Sequence, residues 1–176
     1  MAAPVTYRVA KQPQIREGRS ADASLDDRPG VIAPAPLLYG AAFLMGMVLH
    51  SFFPKLILPM QVAPWTGIVL LSAGAALAVW SRRTMEGANT NVHPALPATT
   101  LVITGPFRFS RNPMYVARTV LYLGLGVLVN ALCVLVVLVP LLLVMQYGVI
   151  KPEERYLEAK FGDVYRQYRA GVRRWL

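Results

Sequence analysis

The sequence predicts an all-α protein: an integral membrane bundle of about four transmembrane helices, with an amphipathic helix at its C-terminal end. Three observations predict it. Hydrophobic residues make up 55% of the chain and charged residues only 15%, where a soluble domain carries about a quarter charged residues. The apolar residues fall in long blocks of membrane-spanning size. The basic residues, 18 Lys and Arg against 9 Asp and Glu for a net charge of +9, sit beside those blocks.

The first segment, residues 1–30, mixes Pro, Gly, Ser and both charge signs and reads as a flexible tail. No apolar stretch follows its first basic residues, so it is not a signal peptide. The rest, 31–176, reads as one membrane domain. Its first span covers about 35–53 and stops at Pro54; its second covers about 62–80 and stops at Ser81-Arg82-Arg83. Gly67, Ser72, Gly74, Ala75, Ala76 and Ala78 in the second span permit close helix approach. A polar loop, 84–112, follows.

The apolar run 114–150 is broken only by residues such as Arg118, Asn130 and Gln146. It is too long for one crossing, which takes about 20 residues. Asn130 near its middle marks a tight hairpin between helices at 113–129 and 132–150, with Pro140 expected to kink the latter. After it, "KPEERYLEAKFGDVYRQYRAGVRRWL" (151–176) opens with Pro152, Glu153 and Glu154, which suit a helix N-terminus. Leu157, Phe161, Val164, Tyr165 and Tyr168 share one face, and Gly162 is a place for a bend.

With four spans, the N-terminal tail, the 84–112 loop and the C-terminal segment fall on one side. They carry nearly all the Lys and Arg, and the positive-inside rule makes that side, with both termini, cytoplasmic. The basic excess then points to anionic headgroups, and no nucleic-acid motif accompanies it. A single cysteine, Cys133, makes neither a disulfide nor a metal cluster, and no metal is expected.

The chemistry-bearing stretch is "GPFRFSRNPMYVARTVLYLG" (105–124), which places Arg108, Arg111 and Arg118 at the mouth of the third helix. Gly105-Pro106 is a turn signal. Asn112 is a candidate cap for a helix starting at Pro113. Free backbone N–H groups there, with Arg108 and Arg111, can hold a carboxylate or phosphate. The same residues also suit an interfacial Arg/aromatic anchor. Glu153 and Glu154 have two readings as well, as dipole complement or as site carboxylates. A hairpin returns the fourth helix to the face where the third began, which brings them near Arg111 and Tyr115. His93 in the polar loop and the intramembrane His50 and Gln146 are further polar candidates.

The pair "GPFRFSRNPMY" and "EERYLEAKFGDVYRQYRAGVRRWL", in that order, closely resembles the isoprenylcysteine carboxyl methyltransferase-like family, small membrane methyltransferases that also resemble phospholipid N-methyltransferases. The resemblance spans about 87–176. It implies S-adenosylmethionine held in a cytoplasmic pocket by the C-terminal half, and a lipid-like or hydrophobic small acceptor entering from the bilayer. Arg111, Asn112, Pro113 and Tyr115 match the family's Arg-His-Pro-x-Tyr motif, with Asn112 in place of the histidine as in bacterial members, which implies the inner membrane. Glu153 and Glu154 match its paired glutamates. Tyr165, Tyr168 and Arg169 match its tail, Arg173 a basic position beyond, and His93 lies in the loop expected to wall the pocket. The resemblance thus implies cofactor contacts from His93, Arg111, Asn112, Tyr115, Glu153, Glu154, Tyr165, Tyr168 and Arg169, and catalytic roles for Arg111, Glu154 and Arg173.

Two rival readings predict different behaviour. A membrane reductase of the sterol reductase type, which resembles this family in its C-terminal half, would bind NADPH. A non-enzymatic lipid- or partner-binding protein would tolerate Arg111→Lys, which a bidentate pocket would not.

Overall fold

The computed structural model describes residues 30–88, 90 and 100–175. Five α-helices run in order: α1 Ala35–Phe52, α2 Ala63–Gly87, α3 Pro113–Leu128, α4 Leu132–Met145 and α5 Lys151–Gly171. A 3-10 turn at Gly105–Arg108 precedes α3 and a π turn at Gln146–Ile150 joins α4 to α5. The expected 1–30 tail lies outside the described residues, apart from Gly30.

The apolar blocks became helices: Pro36, Pro64 and Pro113 stand in first turns, and Pro140 stands inside α4 without ending it. Among the described residues, three helices are long and apolar enough to cross a membrane: α1, α2 and the continuous helix Leu132–Gly171. The fourth, α3, has 16 residues and is about 24 Å long. Large apolar side chains such as Leu44, Val48, Val69, Val136 and Leu143 point outward, as a lipid-facing surface requires.

Two boundaries differ from the sequence reading. α2 runs on past Ser81-Arg82-Arg83 to Gly87; charge ends a membrane span but not a helix, and Arg82 pairs with Glu86 at 2.6 Å one turn on. And α4 does not end before a new helix at Pro152. The ring of Pro152 conflicts with the α-turn before it and its missing N–H leaves the Gly148 carbonyl free. The π turn absorbs the ring, and the Ile32 N–H donates to that carbonyl at 3.1 Å. The helix therefore continues. Gly162 does bend α5, at φ 54° and ψ −126°.

The helices pack up-down-up-down as two tight pairs, α1 with α4 and α2 with α3. Small residues set the spacing: a Cβ added at Gly46 would stand 2.7 Å from the Val134 Cα, and one added at Gly67 would stand 2.8 Å from the Leu128 Cα. Tyr122 joins the pairs, donating to the Val134 carbonyl at 2.9 Å and packing edge-on against Tyr39 and Phe43.

The end remote from the site is tied by Asn130. Its φ of 52° makes the α3–α4 turn. Its Oδ1 accepts from the Ile57 and Leu58 amides at 2.8 and 3.0 Å, and its Nδ2 donates to the Leu58 carbonyl at 2.8 Å. One asparagine thus closes one hairpin and clasps the α1–α2 loop.

Candidate active site

The opposite end begins with the Ser110-Arg111-Asn112 stretch. The backbone after α5 turns extended at Val172 (φ −125°, ψ 133°) and runs back across the start of α3. The Arg111 N–H donates to the Arg173 carbonyl at 2.9 Å. Ser110 Oγ and Asn112 Nδ2 both donate to the Arg174 carbonyl, at 3.2 and 3.0 Å. Asn112 occupies the cap position of α3 but makes no side-chain cap bond. Its side chain is committed to the C-terminal segment instead, which corrects the capping role expected from the sequence.

Glu154 lies at the centre, 6% exposed. Arg174 grips it with two hydrogen bonds, Nε to Oε1 at 2.9 Å and Nη2 to Oε2 at 2.7 Å. Arg111 Nη1 lies 3.1 Å from Oε1. That contact is close enough for an ion pair but lacks hydrogen-bond alignment, and Arg111 Nε and Nη1 are both buried without a hydrogen-bond partner. The Arg111 side chain is only 9% exposed, so these two donors are removed from water without a hydrogen-bond partner among the described residues.

Glu153, on the preceding position of α5, accepts from the Tyr115 hydroxyl at 2.6 Å. Burial pushes its carboxyl up to about 7, against the opposing pull of the Tyr115 bond and the Arg118 charge. Tyr165 and Tyr168 pack edge-on nearby, with Leu101 and Ile103 in the same small core. Tyr168 donates to the Phe107 carbonyl at 2.7 Å. Burial, reinforced by the Glu154 charge, raises the Tyr165 hydroxyl above its ordinary range.

These elements enclose a cavity of about 110 Å³. Thr90, Thr100, Arg111, Asn112, Glu153, Glu154, Tyr165 and Tyr168 supply its polar and aromatic lining, and Met85, Leu101, Val102, Phe107 and Leu157 its apolar wall. The phospholipid methyltransferase family matches this sequence over residues 62–164, which takes in α2, α3, α4 and the glutamate pair.

The chain belongs to the phospholipid methyltransferase family.

Membership in this family implies methyl transfer at a membrane as the general activity. Two relatives match shorter stretches. One is a Haemophilus influenzae protein described as uncharacterized, 49% identical over 47 residues, which covers 27% of this chain and 73% of that one. Another is the cobalt-zinc-cadmium resistance protein CzcN of Cupriavidus metallidurans, 38% identical over 64 residues. That match covers 36% of this chain and 30% of CzcN. Among the described residues of this family member, no three His, Cys, Asp or Glu side chains gather as metal ligands do.

The structure brings together most of the residues that the sequence pointed to. Arg111, Asn112, Glu153, Glu154, Tyr165 and Tyr168 all line the cavity, and Tyr115 reaches it through Glu153. Arg169 lies apart, paired with Glu158 at 2.7 Å on the exposed side of α5. Arg173 is exposed and contributes its backbone carbonyl to the site end. His93 lies outside the described residues. Sequence reasoning missed Arg174 and Ser110. No periodicity signals Arg174: it faces the site because the backbone leaves helical geometry at Val172.

Proposed function

We propose that this family member is an S-adenosylmethionine-dependent methyltransferase that holds the cofactor in the Arg111–Glu154 cavity and methylates a lipid-like or hydrophobic acceptor. One observation carries the reading: a nine-tenths buried arginine presents Nε and Nη1 donors that lack a hydrogen-bond partner among the described residues, beside a cavity that also holds two carboxylates. The donor set fits the cofactor. Arg111 suits its carboxylate, Glu153 and Glu154 suit its amine and sulfonium, and Tyr165 and Tyr168 offer aromatic faces to its adenine. The cavity's about 110 Å³ lies below the roughly 300 Å³ at which ligand pockets begin, so it must widen on binding.

When bound, S-adenosylmethionine supplies a methyl carbon carried on a sulfonium sulfur. The residues here position and desolvate rather than react. Arg174 locks the Glu154 carboxylate in one orientation. Glu153, with its carboxyl raised to about 7, is matched to accept a proton from an amine or thiol acceptor near neutral pH; a carboxylate acceptor has none to give. The site end carries Arg82, Arg83, Arg108, Lys151 and Arg155 and the far loop only Lys55, which supports a cytoplasmic site in an inner membrane.

The test is binding of labelled S-adenosylmethionine to detergent-purified protein. The wild type should bind, S-adenosylhomocysteine should compete, and Arg111→Ala and Glu154→Gln should lose binding. Absence of wild-type binding, or displacement by NADPH but not by S-adenosylhomocysteine, defeats the reading.

A further inference from the structure

A second concavity lies between α1 and α3, on the outer face of the bundle. Tyr39, Gly40 and Phe43 of α1 and Arg118, Leu121 and Leu125 of α3 line it, and its volume is about 270 Å³. Gly40 and Leu125 are exposed, and within a membrane-spanning layer that surface faces lipid. Apolar walls suit a hydrocarbon chain. The concavity has room for one short chain.

Arg118 does not belong in such a wall without a partner. A guanidinium one and a half turns into a membrane helix is expensive unless paired. Among the described residues no carboxylate stands within ion-pair distance of it. Its close contact is the Tyr115 ring, 5.4 Å from the guanidinium carbon to the centroid. That same tyrosine donates to Glu153 at 2.6 Å, and Glu153 lines the Arg111–Glu154 cavity. Groove and cavity therefore stand back to back, separated by one side chain.

We propose that the α1–α3 groove binds a single-chain amphiphile with an oxyanion head, the chain lying along Gly40 and Phe43 and the head held by Arg118. Its bearing on methyl transfer rests on the cofactor reading above: an acceptor so held has its head beside Tyr115, on the far side of which lies Glu153. The occupant is thus a carboxylate- or phosphate-bearing chain, not a neutral or cationic one.

The experiment titrates purified protein in neutral detergent with decanoate, decyl phosphate, decanol and decyltrimethylammonium, following heat of binding, with S-adenosylhomocysteine titrated separately. The two anionic chains should bind saturably, one per protein, and at least about tenfold tighter than the other two, as expected of a charge-assisted contact. A preference between the two anions identifies the natural head. Arg118→Leu should erase the discrimination and Arg118→Lys should keep part of it. Gly40→Leu should weaken every chain, because a Cβ at Gly40 meets nothing within 4 Å and the larger side chain fills the groove without disturbing the helices. Both leucine variants should retain S-adenosylhomocysteine binding. Equal binding of all four chains, or discrimination that survives Arg118→Leu, overturns the proposal. Anion discrimination with no S-adenosylhomocysteine binding by the wild type supports the groove and defeats the cofactor reading.

Discussion

Arg174 holds both carboxylate oxygens of Glu154, at 2.9 and 2.7 Å, while its own carbonyl receives Ser110 and Asn112 from the start of α3. One residue therefore ties α5, α3 and the C-terminal segment together, and Glu154 is shared between it and Arg111.

The first prediction separates two adjacent arginines. Arg174→Ala leaves Glu154 with one poorly aligned partner and frees it to rotate. Cofactor affinity should fall about tenfold or more, the loss expected for a charge-assisted pair. Arg173→Ala should leave affinity unchanged, because its side chain is exposed and its backbone carbonyl remains. Labelled-cofactor binding to both variants decides this; a larger loss for Arg173→Ala would show that the exposed arginine, not the buried one, serves the site.

That contrast marks how far the sequence was legible. The helices could be read because apolar blocks of spanning length leave little choice in a bilayer, and Asn130 could be read as a turn because polar residues interrupt such blocks rarely. The meeting of Arg111 with Glu154 and of Tyr115 with Glu153 followed from the hairpin alone. The continuous α4–α5 helix was hidden because Pro152 has the same appearance at a helix start as after a π turn. Arg174 was hidden because its contact depends on the extended turn at Val172, which no periodicity announces. The back-to-back placement of groove and cavity across Tyr115 needs helix rotation angles that hydropathy does not carry.

The second prediction concerns pH. The Glu153 carboxyl titrates near 7 in the fold against an ordinary 4.5. Between those values the folded chain keeps a proton that the unfolded chain releases. Stability therefore falls as pH rises through this window and levels off above about 7. Glu153→Gln should flatten thermal stability across it. Tyr115→Phe removes a bond that holds the carboxyl down, so the window should extend upward. Affinity for the cationic cofactor should run the opposite way, rising as Glu153 ionises. A Glu153→Gln protein with an unaltered stability profile would assign the titration elsewhere.

The third prediction tests the far clasp. Asn130→Ala loses the side-chain hydrogen bonds to Ile57, Leu58 and Met60 and places alanine at φ 52°. It should cost about 2 kcal/mol or more. Asn130→Gly relieves the backbone term only and should fall between alanine and wild type. Denaturation in detergent gives the order. Cofactor affinity should be unchanged in the folded fraction, since the clasp lies at the other end of the bundle.

The fourth prediction compares two glycines in spanning helices. At Gly67 a Cβ would stand 2.8 Å from the Leu128 Cα, whereas at Gly40 it meets nothing within 4 Å. Gly67→Ala must push α2 from α3 and should cost about 1–3 kcal/mol by overpacking. Gly40→Ala should stay within about 0.5 kcal/mol, as an uncrowded surface change does. The crowded Gly67–Leu128 contact lies at the Asn130 end of the bundle, remote from the cavity, so both variants should keep cofactor affinity in the folded fraction. Equal melting temperatures for the two variants would mean that the α2–α3 contact is looser than these distances require.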